Sequence, residues 1–471
     1  MDRFVDYFVV LGFDHSKQRG GLSTGRVLQR FPVKDWSDVP FIDGIELFCQ
    51  PQGWRLSASP QQPTYFMSVL TDVDANKHYC ACLSFNEPIA IQPIKQADDD
   101  DLYVDDVIYN NVDGSVHHSI MYAPKCLVLV SRHSYPDVFK NCLGIIYTVY
   151  IDNLDFKMEK LIGNLLACVE VPPSGGSAAR FTLGANDRQM LQPPLSPTVP
   201  VTRSTVYQLF DQLGIQSVIT LFTAITTEHK ILFHSKSYSR LHDACHALTS
   251  LMYPFYYSHV YIPLLPSSLL EVLSTPTPFV IGVHSSLRNE VEDLLDVITV
   301  DLDGGSISVP EHLPRLDEHT TAQLVNQLCL VIRPQLSQAD DAFTSSQLKP
   351  SPPFLLDKEI RAIFVRLFAQ LLQGYRSCLQ IVRIHPRPFI TFHKSSFLGQ
   401  RNFVENEFVV RLLECMFFNL FVKDRGPPFR ASDLFDELYA TMNETLKRET
   451  KSPELVLENI RNLAQQLFLN E

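Results

Sequence analysis

Several strings carry residue types that could do chemistry. Gly20-Gly-Leu-Ser-Thr-Gly25-Arg26-Val27 has the glycine spacing of a phosphate-binding loop. Such a loop needs Lys and then Ser or Thr at its end, the amine for phosphate and the hydroxyl for Mg²⁺. Here Arg and Val stand there, and Pro32 follows soon after, so the string reads as an ordinary loop. Cys80-Ala-Cys82 places two sulfurs on one face of a strand, but zinc would need two further ligands at metal spacing and none stands nearby, so these read as buried thiols. His117-His118 and the acidic run 98–106 could attract a cation, yet the run lacks the glycine and bidentate Glu of a calcium loop. Asp301-Leu-Asp303-Gly-Gly follows a strand, where α/β folds place functional acids, and reads more simply as a tight turn. Gly282-Val-His284-Ser285-Ser286 also follows a strand. It is not G-x-S-x-G, so a hydrolase with Ser285 as nucleophile has little support. No metal ligand set, nucleophile or cofactor loop rises above background, which favours a binding or regulatory protein over an enzyme making or breaking covalent bonds.

The elements that would position these residues follow from pattern. The 471 residues allow roughly three domains. With 45% hydrophobic and 20% charged residues the composition is globular, and 31 prolines exclude a coiled coil. A net charge of −12 without a basic block argues against nucleic acid and against unaided binding to anionic lipid. Ten scattered cysteines fit reduced thiols in a cytosolic protein. No apolar run reaches transmembrane length, and the charged N-terminus is unlike a signal peptide.

Strands are expected at 4–13, 26–31, 64–71, 77–85 and 125–132, with 93–120 between them as a mobile acidic loop. Helices are expected at 136–150 and 157–170, completing an α+β lobe over 1–170. The Pro/Gly/Ser-rich stretch 171–202 reads as a linker. From 203 to 333, helices near 204–226, 238–252, 267–273 and 286–295 alternate with strands at 230–233, 258–262, 279–282 and 297–300, the signature of a mainly parallel sheet. A loop at 334–356 leads to an all-helical end, 357–471, with helices at 357–379, 404–422 and 454–469.

Three groups of strings in this order resemble the DENN domain family. Phe48-Cys-Gln-Pro-Gln-Gly53 and Cys80-Ala-Cys-Leu-Ser-Phe85 resemble its upstream part. Glu228-His-Lys-Ile-Leu-Phe233, Leu251-Met-Tyr-Pro-Phe-Tyr-Tyr257, Tyr261-Ile-Pro-Leu-Leu-Pro266, Leu273-Ser-Thr-Pro-Thr-Pro-Phe279 and Ile281-Gly-Val-His284 resemble its centre. The string from Phe364 to Arg376 resembles its downstream part. Leu28 to Trp36, Gly44 to Pro51, Leu398-Gly-Gln-Arg401 and Arg425-Gly-Pro-Pro428 are similar to the N-terminal part of the SET-binding factors, the myotubularin-related pseudophosphatases.

The resemblance implies a bilobed α/β fold, with a longin-like α+β lobe first and then an α/β lobe capped by C-terminal helices. It implies a guanine-nucleotide exchange factor that binds a Rab-family small GTPase, GDP-bound or nucleotide-free, between its lobes, with no cofactor. A DENN-shaped trafficking scaffold or adaptor without exchange activity is the alternative. It further implies a cytoplasmic protein, peripheral on endosomal or other trafficking membranes. Recruitment and homodimerisation would then use regions outside this chain. An interface built from aromatics and charged groups would draw on Arg30, Asp35 and Trp36 in the first lobe. Tyr256, Tyr257, His259, His284, Arg288, Tyr375 and Arg376 are the candidates in the rest.

Overall fold

The computed structural model describes residues 2–17, 22–72, 75–91, 119–152, 155–184, 187–291, 294–335, 351–383, 389–427 and 429–471. Two compact units are present. The first comprises Phe4–Met67 and Asn76–Val169, and the second comprises Glu170–Glu471 with the short pieces 1–3 and 68–75.

The chain begins with β1 (Tyr7–Gly12), β2 (Leu22–Ser23), β3 (Arg26–Phe31), α1 (Ile45–Cys49), β4 (Trp54–Arg55), β5 (Thr64–Thr71), β6 (Lys77–Ile91), β7 (Ser119–Ser131), α2 (Pro136–Ile151) and α3 (Asp155–Cys168). A five-stranded sheet runs in the order β3-β1-β7-β6-β5. The run Tyr-Phe-Val-Val-Leu-Gly makes β1 an interior strand with every residue buried. It is antiparallel to β3 on one side and to β7 on the other. At the edge, β3 turns both its faces to solvent over Arg26 to Gln29. The acidic stretch 93–120 and His117-His118 fall almost wholly at residues 92–118, outside the described residues, as do Gly20 and Gly21 of the glycine-rich string.

Next come β8 (Ala179–Phe181), β9 (Gln189–Leu191), α4 (Thr205–Ile225), β10 (Lys230–Ser235), α5 (Tyr238–Ser250), β11 (Val260–Ile262), β12 (Phe279–His284), β13 (Val297–Asp301), β14 (Ser306–Ser308) and α6 (Glu318–Ile332). The stretch 171–202 holds the β8–β9 hairpin, and its Leu191, Val199 and Thr202 are buried. The second five-stranded sheet is ordered β11-β12-β10-β13-β14. β11, β12, β10 and β13 are parallel, and β14 closes one edge antiparallel. Ile231, Leu232 and Phe233 at its centre are fully buried. Gly282 in β12 is required by close approach: a Cβ there would stand 2.1 Å from the Pro263 carbonyl oxygen. The helix expected at 286–295 is instead a short 3-10 turn, Ser285–Glu290. The His284 ring caps this turn by accepting the Ser286 amide.

The last part contains α7 (Pro353–Leu371), β15 (Leu379–Val382), β16 (Phe389–Phe392), α8 (Lys394–Arg401), α9 (Glu407–Leu412), α10 (Met416–Arg425), α11 (Leu434–Lys451) and α12 (Leu455–Asn470). It is therefore not all-helical: β15 and β16 form an antiparallel hairpin. The helix expected at 357–379 starts at Pro353 and stops at Leu371, because Gly374 takes the left-handed conformation (φ 87°) that ends a helix. Apolar spacing pointed to one buried face, yet α7 is buried all round, charged residues included. Its buried Arg366 donates from one nitrogen, Nη2, to both carboxylate oxygens of Glu449 of α11, at 2.7 and 2.8 Å. The helix expected at 404–422 is divided into α9 and α10, and the Glu228 carboxylate accepts the Met416 amide at the start of α10 (2.6 Å).

Candidate functional site

In the first unit Arg30, Asp35 and Trp36 meet around Tyr7. Arg30 pairs with Asp35 at 2.9 Å, and its guanidinium lies 4.7 Å from the centre of the Phe41 ring and 5.8 Å from that of Tyr7. Trp36 donates its indole N–H to the Asp6 carbonyl (2.7 Å) and its amide to the Tyr7 hydroxyl (3.0 Å). Asp35 stands exposed, while Arg30 and Trp36 are half-buried. The cluster joins the exposed edge strand β3 to the segment after it, so charge and aromatic surface are held in one place by fixed partners.

In the second unit His284 and Arg288 stand at the carboxyl end of the parallel strands, where α/β sheets place their ligands. Asp303 accepts from Ser235 Oγ (2.9 Å), Lys236 N (2.7 Å), Arg240 Nη1 (2.8 Å) and Ser285 Oγ (3.4 Å). Burial raises its carboxyl, but these donors outweigh that and hold it below the usual carboxylate range. Ser285 thus faces an anion occupied by other donors. Asp301 accepts from Arg288 Nη1 (3.1 Å) and from the Asp303 and Gly304 amides. His284 Nδ1 accepts the Ser286 amide at 3.2 Å, so its Nε2 carries the proton and donates to the Lys236 carbonyl at 3.2 Å. Burial lowers its pKa, which favours the neutral ring. Asp303, noted after its strand but read as part of a tight turn, joins this group, and Arg240 was missed. The available signal for Arg240 was an Arg in the first turn of the helix that follows a strand.

Tyr257 and His259 lie together with ring centres 5.8 Å apart, and His259 Nε2 is 2.9 Å from Glu228 Oε1. Both are partly buried, and burial pushes the Tyr257 hydroxyl up. Tyr256 is 50% exposed and borders a 180 Å³ hollow with Phe421, Arg425 and Arg430. Tyr375 is fully buried between Phe421 and Tyr439, which removes its ring from any surface. Arg376 pairs with Asp436 on α11 (2.8 Å) and covers Tyr439.

Beneath Tyr256, Arg425 grips Asp433 with both nitrogens (2.8 and 2.7 Å), and Arg430 adds a contact to it at 3.1 Å. Burial raises the Asp433 carboxyl, but the Arg425 hydrogen bonds and charge prevail and hold it well below the usual carboxylate range. A depressed folded pKa contributes stability above the unfolded value, about 3.9, and loses it as pH falls through the folded one. The gap in Tm between the wild-type chain and Asp433→Asn is therefore expected to be full at about pH 6 and to close below about pH 4. A constant gap measured by calorimetry across that range would contradict this assignment.

Residues 25–85 match the uDENN domain family and residues 122–305 match the DENN (AEX-3) domain family. The chain is a DENN-domain protein. Its DENN and uDENN segments take in eight of the ten candidate residues, with Tyr375 and Arg376 downstream of both. The chain is 36% identical over 420 residues to "Myotubularin-related protein 5" of Caenorhabditis elegans, covering 88% of this chain and 22% of that protein. It is 26% identical over 410 residues to "DENN domain and WD repeat-containing protein SCD1" of Arabidopsis thaliana, covering 81% of this chain and 33% of that protein. This DENN chain thus spans between a fifth and a third of the length of these curated relatives. The DENN family is associated with guanine-nucleotide exchange on Rab GTPases and is typically non-catalytic in the covalent sense. No described helix is long and apolar enough to cross a membrane.

Proposed function

We propose that this chain promotes GDP release from a Rab-family small GTPase at trafficking membranes, through binding alone. Membership of the DENN family carries the reading. A GTPase holds GDP and Mg²⁺ through ordered switch segments. A partner that prefers the nucleotide-free form must, by reciprocity, weaken nucleotide binding. Taking nucleotide affinity from about picomolar to about micromolar needs roughly 8 kcal/mol of differential binding. A well-packed interface of about 1,600 Å² is on the scale that can supply it. The proposed contacts are the Arg30–Asp35–Trp36 cluster of the first unit and, in the second, Tyr256, Tyr257, His259, His284 and Arg288. Arg376 adds a cation, and Tyr375 supports it from beneath.

The test is release of fluorescent GDP from a panel of purified Rabs. Acceleration is expected for at least one Rab. Arg288→Ala is expected to cut that acceleration about tenfold, the scale of a moderate interface residue. Its exposed pair with Asp301 contributes less than about 1 kcal/mol, so the fold should be kept. Unchanged release across the whole panel would refute exchange activity, and preference for GTP-loaded Rab would establish the scaffold alternative in its place.

A further inference from the structure

We propose that Cys49 and Cys82 form a redox modification site in the first unit, closing to a disulfide on exposure to hydrogen peroxide. Their sulfurs stand 3.4 Å apart, one at the end of α1 and the other in β6, and both residues are fully buried. Cys126 on β7 is a third buried thiol, within hydrogen-bond reach of both. Among the described residues no group of three side chains is arranged to hold a metal ion, so the sulfurs face one another rather than a shared centre.

The pairing follows from register. Cys126 lies opposite Ser84, not opposite Cys82, so Cys82 and Cys126 are diagonal neighbours on adjacent strands. Diagonal positions are about 7–8 Å apart, beyond the usual Cα spacing of about 4.4–6.8 Å for a relaxed disulfide. Cys49 approaches from a helix outside the ladder and is free of that constraint.

Cys126 supplies the reactive sulfur. Burial raises all three thiols, but Cys49 and Cys82 as hydrogen-bonding neighbours lower Cys126, so of the three it is the one biased toward the reactive thiolate. The thiolate attacks peroxide and becomes a sulfenic acid, and the displaced hydroxide takes up a proton to leave as water. Cys49, which the ladder does not hold away from Cys126, then condenses with it, forming a Cys49–Cys126 bond and releasing the second water. Attack of Cys82 on the Cys49 sulfur, 3.4 Å away, expels Cys126 as thiolate and leaves the Cys49–Cys82 disulfide. Two thiols lose two hydrogens and two electrons in total, and one peroxide becomes two waters.

The way in for peroxide is α1 itself. It has only five residues, its N-cap Gly44 offers no side-chain cap, and Cys49 is its last residue. A short uncapped helix opens locally at little cost. Closure would fasten α1 to β6, directly after the segment that bears Arg30, Asp35 and Trp36.

The whole chain treated with peroxide should lose two hydrogens by intact mass, and peptide mapping should recover a Cys49–Cys82 crosslink that dithiothreitol reverses. Cys49→Ser and Cys82→Ser should each abolish the crosslink. Cys126→Ser should slow it at least tenfold, and Cys168→Ser, at an exposed thiol, should leave it unchanged. Mapping of the wild-type chain needs no variant to fold. Recovery of Cys49 and Cys82 as free thiols while Cys168 is oxidised would overturn the proposal, as would a Cys82–Cys126 crosslink as the end product.

Discussion

Asp357→Ala is expected to cost about 3–5 kcal/mol of folding stability, the scale for stripping the partner from a buried charge. Asp357 is fully buried in α7. One carboxylate oxygen accepts the Val206 and Tyr207 amides (2.8 and 3.2 Å), capping the first turn of α4 from another helix. The other accepts from Thr202 Oγ1 and, at 3.2 Å, from Lys358. Lys358 and Arg361 are buried beside it, and Glu471 pairs with both. Burial already lowers Lys358 to about 8, so losing Asp357 would drive it further toward the neutral amine. Asp357→Asn keeps one acceptor and should cost less than the alanine change. Urea unfolding of both variants is the check, and a loss under about 1 kcal/mol for the alanine variant would show that Glu471 alone compensates the two cations.

Phe255→Ala should be comparably severe, again about 3–5 kcal/mol, through a cavity rather than a charge. Phe255 is 3% exposed, and its ring centre lies 4.9 Å from Phe368, 5.0 Å from Phe417 and 4.9 Å from Phe421. It therefore joins α7 to α10 from the segment between α5 and β11. Phe255→Leu refills part of the volume and should recover at least half of the loss. The same variant tests function, because Tyr256 follows directly. Loosening of Phe255 should reduce GDP release even where the chain stays folded at low temperature. A full-rate Phe255→Ala chain would place Tyr256 outside the interface.

Elements whose residues repeat with one period were legible in the sequence. The continuous apolar run of β1, the short parallel strands and the helices α4 and α5 between 204 and 301, and the spacing of Val456, Ile460, Leu463 and Leu467 in α12 all found their places, whereas the helices expected at 267–273 and 286–295 are 3-10 turns. The failures have more than one cause. Glu228 starts α10 from across the sequence, while Ser285–Glu290 form only a short 3-10 turn capped by the adjacent His284. In α7 the apolar spacing marks one face only, but Asp357 and Arg366 are buried too, with partners 151 and 83 residues away in sequence. The candidate site was legible as residue types but not as surfaces. Arg30, Asp35 and Trp36 could be grouped by nearness along the chain. The burial of Tyr375 and the anchoring of Arg376 depend on Phe421, Asp436 and Tyr439, which no local pattern supplies.

The all-round burial of α7 bears on how the molecule can be dissected. An excised piece cut to the matched span 122–305 would carry α4 without the aspartate that closes its first turn. It would also carry Phe222 without Phe364 and Phe368, the rings it packs on. Such a piece should come out of cells as aggregate, and inactivity measured on it would say nothing about exchange. Trimming α12 would unseat Arg361 and Lys358 in the same way, so the helices after residue 353 are scaffolding for the sheet that precedes them.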